Sequence, residues 1–479
     1  MAAALVLRRW LPAAAVILGV AALMVLVYDP WYLNYDARYA LLWARDLWEG
    51  FAPEYTADYA PTPHPLQMAV SSLALPFGDD ADRVIVWTVL LCYGALAWLV
   101  YRLGSELFNP WVGGVAALVV VTRPAIERDA LLAYQDVPFE LLIVAAVLLE
   151  ARRPRRGAPV LAVLAVAGLL RPEAWVLSGL YVLWLWRPAT NRQRALHIAL
   201  AASAPLIWGL SDLVVTGDFL HSLHGTAQLA EDNERRRSIE QVPRWGAQYL
   251  AFTLREPLIL GVPIGMAFAY LYRRREGMLL LAVVVAMLAV FAVGPLFGLP
   301  LIGRYVRTPA ILLALFYGLA VFGWTLLPRG TTRTRWLAVG VFAALLSVAF
   351  LPKHVSMLSD MRHRFERDAH LYADLREAAH APVVRAAFEA CGPISTADHR
   401  PIPYLRYWIG GEPGSVGTIR GQASPLGDLL LVPRKTYFAE RFYKVNFPTR
   451  TARKPEGYTR LYQNRSWRVY AAPGCERGA

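Results

Sequence analysis

Asp36 stands just past the first apolar run of the chain, within Asn34-Tyr35-Asp36-Ala37-Arg38-Tyr39. A carboxylate at that depth of a membrane meets both a lipid-borne phosphate ester and an alcohol arriving from water, and can accept the alcohol's proton. A second pair of acids, Asp136 and Glu140, is spaced i, i+4, which puts both on one helix face at the mouth of another apolar run. Three roles suit that pair: orienting an alcohol, binding a divalent ion, or pairing with Arg128. Cations accompany the acids. Arg38, Arg128, Arg304 and Arg307 each offer the bidentate fork that suits phosphate, and His64 joins them only if its pKa is raised. Arg304, beside Tyr305, is the leading phosphate candidate, whereas Arg307 reads as a headgroup anchor or loop salt bridge. His221 and His224, with Asp218 nearby, have a spacing compatible with a metal site but read better as a polar loop start.

These residues are carried by a chain built for a membrane. Of 479 residues, 56% are hydrophobic and only 18% charged, too apolar for a soluble protein and incompatible with a disordered chain or a disulfide-dense secreted module. Eleven apolar runs are legible, near 10–27, 84–101, 109–122, 137–150, 158–170, 174–186, 196–214, 257–272, 277–298, 309–327 and 335–351. Several are shorter than the roughly 20 residues of a straight span and need flanking turns or a re-entrant path. If all cross, one side receives the Arg-rich segments 1–9, 102–108, 150–157, 187–195, 273–276 and 328–335, whose acids are Glu106, Glu150 and Glu276 alone. That is the positive-inside pattern, with the N-terminus in the cytoplasm and the C-terminus outside. The net charge of +13 is therefore largely a topogenic signal, and the nucleic-acid partner that a basic chain first suggests is excluded. Lys occurs only at 353, 435, 444 and 454, a bias typical of a GC-rich bacterial genome, so the expected location is a bacterial plasma membrane.

Two segments lie outside the runs. The first external loop, 28–83, is far longer than a connector requires. Its Leu42, Trp43, Leu47 and Trp48 predict a helix lying at the membrane interface, and Gln67 to Phe77 is amphipathic. From 352 to 479 the chain turns polar, with a charged helical stretch from Asp360 to Glu389 and strand-like runs at 428–432 and 466–470. This predicts a small extracytoplasmic α/β domain following a membrane domain of residues 1–351. Cys391 and Cys475 both fall in it, where a disulfide persists, while Cys92 sits in a span. The charged stretch Glu231 to Glu240 reads as a solvated helix.

Four motifs on the external face resemble, in order, those of the GT-C glycosyltransferases, in the branch of protein O-mannosyltransferases and lipid A aminoarabinose transferases. They are Asp36-Ala-Arg-Tyr39-Ala40 with Pro63-His64-Pro65-Leu66, the segment Arg128 to Pro138, Gly168-Leu-Leu-Arg171-Pro-Glu173-Ala174, and Arg304-Tyr305-Val-Arg307-Thr-Pro309. The family's Asp-Glu pair is here the single Asp36, and its Lys stands as His64. The resemblance implies a GT-C-like membrane fold and transfer of a sugar, with inversion, from a polyprenyl-phosphate donor to an acceptor hydroxyl. The acceptor would be a lipid, an envelope glycan or a protein. Asp36 would be the base with Asp136 as second acid, Arg304, Tyr305, Arg128, His64 and Arg38 would hold the donor phosphate, and Glu140 and Asp136 would serve acceptor or metal. No cofactor is required; Mg²⁺ or Mn²⁺ is compatible with the acids. A multi-pass transporter or lipid flippase is the alternative, but the runs show no inverted repeat and the acids cluster at one face.

Overall fold

A computed structural model of the chain describes residues 2–29, 31–419, 426–434 and 454–475, with side chains from Trp10 onward. Each of the eleven apolar runs lies in a helix. They are not eleven equal spans. Among the described residues five helices are long and apolar enough to cross a membrane singly, at Trp10–Tyr28, Leu75–Leu107, Asn191–Thr216, Arg274–Phe297 and Gly303–Leu326. Three further runs belong to bent pairs: Pro124–Leu131 with Asp136–Arg152 at 116°, Ile239–Leu254 with Leu258–Tyr272 at 97°, and Thr331–Ala349 with Leu351–His380 at 43°. The remaining three, Pro110–Thr122, Ala158–Gly168 and Glu173–Leu185, are short.

The breaks have local causes. Ala133 takes a left-handed conformation (φ 55°) between the two arms of the first pair, and Arg255 does so (φ 59°) in the second. A non-glycine residue there ends a helix, because its Cβ crowds the backbone. The helix Arg307–Phe322 is the axis of the bundle, buried from Arg307 to Val321. Neighbours close on it through glycine: a Cβ on Gly265 would strike the Phe316 carbonyl, and one on Gly318 the Val112 carbonyl.

The first loop is ordered by one side chain. Asn34 caps the helix Tyr35–Glu49, its Oδ1 accepting from the amides of Asp36 (2.8 Å) and Ala37 (3.0 Å). Its Nδ2 and backbone amide both donate to the Leu132 carbonyl, at 2.7 and 2.9 Å. The start of the Asp36 helix is thereby tied to the bend from which Asp136 emerges. Burial divides the four apolar residues of this helix. Leu47 and Trp48 are exposed, but Leu42 and Trp43 are buried, with Trp43 packed between Tyr39 and Tyr55 at 5.1 and 4.9 Å. A helix with apolar residues on two sides can sit under a domain as well as on lipid.

The charged helix of the C-terminal segment begins at Leu351, continues to His380, and after a break at Ala381 resumes as Pro382–Cys391. Among the described residues the sheet beyond has five strands, β1 (Ile394–Thr396), β2 (Val416–Thr418), β3 (Leu429–Pro433), β4 (Thr459–Gln463) and β5 (Trp467–Ala471). Their order is β2-β1-β3-β5-β4. β1 is parallel to both β2 and β3, and β5 is antiparallel to β3 and β4. Cys391 and Cys475 form a disulfide with Cα atoms 5.8 Å apart, fastening the helix Pro382–Cys391 to the end of the sheet. Part of this domain's basic surplus, including Lys435 and Lys444, lies outside the described residues. The solvated helix expected at Glu231 to Glu240 is not formed: the helix His221–Asp232 ends there, residues 233–238 are non-helical, and a short turn follows at Ile239–Gln241. Glu234 has φ 50°, which stops the helix.

Candidate active site

Arg304 lies in the tight turn Gly303–Val306 that feeds the axial helix, and its Nη1 donates to Asp36 Oδ2 and Asp136 Oδ2, each at 3.2 Å. Arg171, in the turn before Glu173–Leu185, pairs with Asp136 Oδ1 and with Glu173 Oε1, the latter at 2.6 Å. Two rings back these guanidiniums. Tyr134 lies 4.5 Å from Arg304, and Tyr305 lies 4.7 Å from Arg171.

The two acids differ in how they are held. Asp136 is 2% exposed and both its oxygens are committed, one to each arginine. Asp36 is 19% exposed, as is Arg304, and among the described residues its carboxylate engages Arg304 through Oδ2 alone. A fully engaged buried carboxylate is fixed in its ionised form and acts as an anchor. A partly exposed one with an oxygen to spare can receive a proton.

A second layer supports the first. Arg307 Nε pairs with Asp129 Oδ2 at 3.0 Å, and its Nη1 donates to Thr253 Oγ1 at 2.6 Å. Arg307 is thus a buried brace between the two bent pairs and not a headgroup anchor. Arg128, 47% exposed, takes the other Asp129 oxygen at 3.0 Å, so it does not pair with Asp136 or Glu140. Glu140 is buried one turn beyond Asp136, with Oε2 lacking a hydrogen-bond partner.

His64 is beside the acids, hydrogen-bonded to Gln135 and edge-on to Trp208 at 5.3 Å. Its pKa is pushed down to about 4, chiefly by burial, with Asp36 opposing the shift and Arg171 adding to it. It is a neutral imidazole at pH 7 and supplies no positive charge for a phosphate. Arg38 is elsewhere. It is fully buried in an ion pair with Asp82, with its guanidinium 4.9 Å from the rings of Tyr404 and Trp408. Two residues downstream of Asp36 on a helix is about 200° round its axis, so Arg38 points away from the acids.

Arg38 instead belongs to the joint between the first loop and the C-terminal domain. There Arg406, 1% exposed, pairs with Asp46 and with Glu54, the latter at 3.2 Å. Arg45 donates to the Gly411 carbonyl at 2.7 Å, and the Tyr404 hydroxyl donates to the Leu33 carbonyl at 2.7 Å, next to the Asn34 cap.

The acids converge on guanidinium groups, and among the described residues no three His, Cys, Asp or Glu side chains converge on one point. His221 and His224 have separate partners, the Tyr55 carbonyl at 3.3 Å and Asp218 at 2.6 Å.

Arg171, Glu173, Asp129 and Tyr134 also belong to the cluster, and nothing in the sequence marks them as isolated acids or phosphate ligands. All four lie in the motif segments of the family resemblance, which show their position and not their role.

A bundle of bent and short apolar helices around one axial helix, with acids and arginines gathered under the first loop, is a fold shared with solved structures. The chain is similar over 96% of its length, and 98% of the other, to the crystal structure of ArnT from Cupriavidus metallidurans bound to undecaprenyl phosphate, with a TM-score of 0.57 and 13% identity. The apo ArnT structure matches with a TM-score of 0.51 and 13% identity over 98% of each chain. The Archaeoglobus fulgidus oligosaccharyltransferase AglB, in complex with an inhibitory peptide and a dolichol-phosphate, matches 84% of this chain and 64% of its own, at TM-score 0.49 and 13% identity. No family model matches the sequence, and no curated protein matches it.

Proposed function

We propose that the protein transfers a sugar from a polyprenyl-phosphate-linked donor to an acceptor hydroxyl, with inversion, at the external face of a bacterial plasma membrane. The observation that carries this reading is the single guanidinium of Arg304 joining Asp36 and Asp136 at the edge of the bundle. The fold adds support, being shared with a protein whose crystal structure holds undecaprenyl phosphate. In this reading eleven crossings leave the N-terminus inside and the 352–479 domain outside, as the Arg distribution requires.

The acceptor oxygen attacks the anomeric carbon as the bond from that carbon to the phosphate oxygen breaks. The acceptor proton passes to Asp36, and the polyprenyl phosphate departs carrying the negative charge. Arg304 and the exposed Arg128 stabilise that charge, with preorganised donors worth more in a site shielded from water. Asp136 keeps Arg304 and Arg171 in place, and Tyr305 supports Arg171 from its ring face. His64, neutral, positions Gln135 beside the acids. The reaction as written needs no metal. The acceptor is a lipid, a cell-envelope glycan or a protein, and the basic outer domain suits one with negative charge.

Purified protein in vesicles, given a labelled polyprenyl-phosphate sugar and an envelope extract, should move label from donor to acceptor. Movement of intact donor across the bilayer without cleavage would instead establish the flippase reading.

A further inference from the structure

A second basic cluster lies where three helix breaks meet, apart from the Arg304 site. Arg123 ends the short helix Pro110–Thr122, Arg255 occupies the break between Ile239–Leu254 and Leu258–Tyr272, and His354 lies in the first turn after the break at Phe350. Arg123 Nη1 donates to the Leu254 carbonyl at 3.0 Å, bringing it against Arg255. His354 hydrogen-bonds the Thr122 backbone and lies within electrostatic range of both guanidiniums. Among the described residues, none of the three shares an ion pair or hydrogen bond with the Arg304 cluster.

Two features point to a ligand. Arg123 Nε and Arg255 Nε are buried without a hydrogen-bond partner among the described residues, and Arg123 is 8% exposed. Native structures rarely leave one such group unsatisfied, and two at one place is a concentration of unused donors. The nearest acid, Glu256, is drawn outward by Lys353 at 3.3 Å, and both are well exposed. The cluster therefore has an excess of positive charge. Its surroundings are apolar and open, with Phe252, Leu351 and Val355 each more than half exposed on the adjoining turns. Guanidiniums at the ends of membrane helices, rimmed by exposed apolar side chains, match a charged headgroup whose tails lie along the bundle.

We propose that Arg123 and Arg255 bind the phosphate of an anionic membrane phospholipid, holding together the helix breaks they occupy, with His354 packed beside them. The site is independent of the transfer reaction.

The test uses the full chain, delipidated in detergent, and titrates phosphatidylglycerol against phosphatidylcholine of the same chain length and against inorganic phosphate, with thermal unfolding and native mass spectrometry as readouts. Phosphatidylglycerol should bind and raise the unfolding midpoint, and phosphatidylcholine should not. Arg123→Gln and Arg255→Gln should each weaken phosphatidylglycerol binding about tenfold or more, the worth of one charge-assisted hydrogen bond. Arg329→Gln, which removes an exposed charge elsewhere, should bind as the unaltered protein does. Equal effects of the two lipids, equal binding by all variants, or stabilisation by inorganic phosphate matching that by lipid would each overturn the proposal. Arg255→Lys, which keeps the charge, supplies the comparison if the glutamine variant does not fold.

Discussion

Asp36 and Asp136 approach the same nitrogen, Arg304 Nη1, at 3.2 Å each, from helices on opposite sides of the Asn34 cap. Sharing one cation keeps two carboxylates together that would otherwise repel. In the proposed reaction it also makes the arginine the first contact for an arriving phosphate. The asymmetry of the pair, one acid sealed and one open, is the basis for proposing one as anchor and the other as base.

Removing the anchor should cost stability. Asp136→Ala leaves Arg171 and Arg304 without their shared partner in a buried setting, where loss of one member costs about 3–5 kcal/mol. Asp36→Ala, at a partly exposed position, should cost about 1 kcal/mol or less. Thermal unfolding in detergent should show a large drop in midpoint for the first and a small one for the second.

Arg304→Gln should weaken donor binding and slow transfer by about 10²–10³, the effect of losing one preorganised donor to developing negative charge. Binding of the labelled donor and single-turnover rates measure the two effects separately. Arg38→Gln should reduce stability while leaving donor affinity in the folded fraction unaltered, since Arg38 lies in the joint with the C-terminal segment.

His64 gives a pH signature. Its pKa of about 4 in the folded state is below the unfolded value near 6.5, so the unfolded chain binds more protons between those values. Its contribution to stability is complete above pH 6.5 and is lost as pH falls through 4. Midpoints measured from pH 7.5 to 4 should fall less steeply for His64→Gln than for the unaltered protein.

How much of this was legible in the sequence follows from the range of each interaction. The apolar runs and the strands near 428–432 and 466–470 depend on local periodicity, and helices and strands occupy them. Asp36, Asp136 and Arg304 stood out because each borders an apolar run, and the structure brings those three together. Arg38 and Arg307 could not be sorted from Arg304 by composition, because what distinguishes them is the partner reached across the fold: Asp82, Asp129 and the acid pair, respectively. The burial of Trp43 was hidden for the same reason. An amphipathic face does not state whether lipid or a folded domain covers it.

The C-terminal sheet region is clasped to the segment 28–83 by Arg406, buried against Asp46 and Glu54. Arg406→Ala should destabilise the protein by about 3–5 kcal/mol, since it strands two carboxylates, one of them fully buried. Limited proteolysis should then cut first within the loop between residues 50 and 64.

The central claim is that Asp36 is the base of a transfer from a polyprenyl-phosphate donor. The direct measurement compares Asp36→Asn with the unaltered protein, recording labelled-donor binding and transfer rate on the same purified samples. The account predicts near-normal donor binding with transfer reduced by about 10²–10⁴, the usual contribution of a general base. Transfer by Asp36→Asn at the unaltered rate, with donor bound, would contradict it.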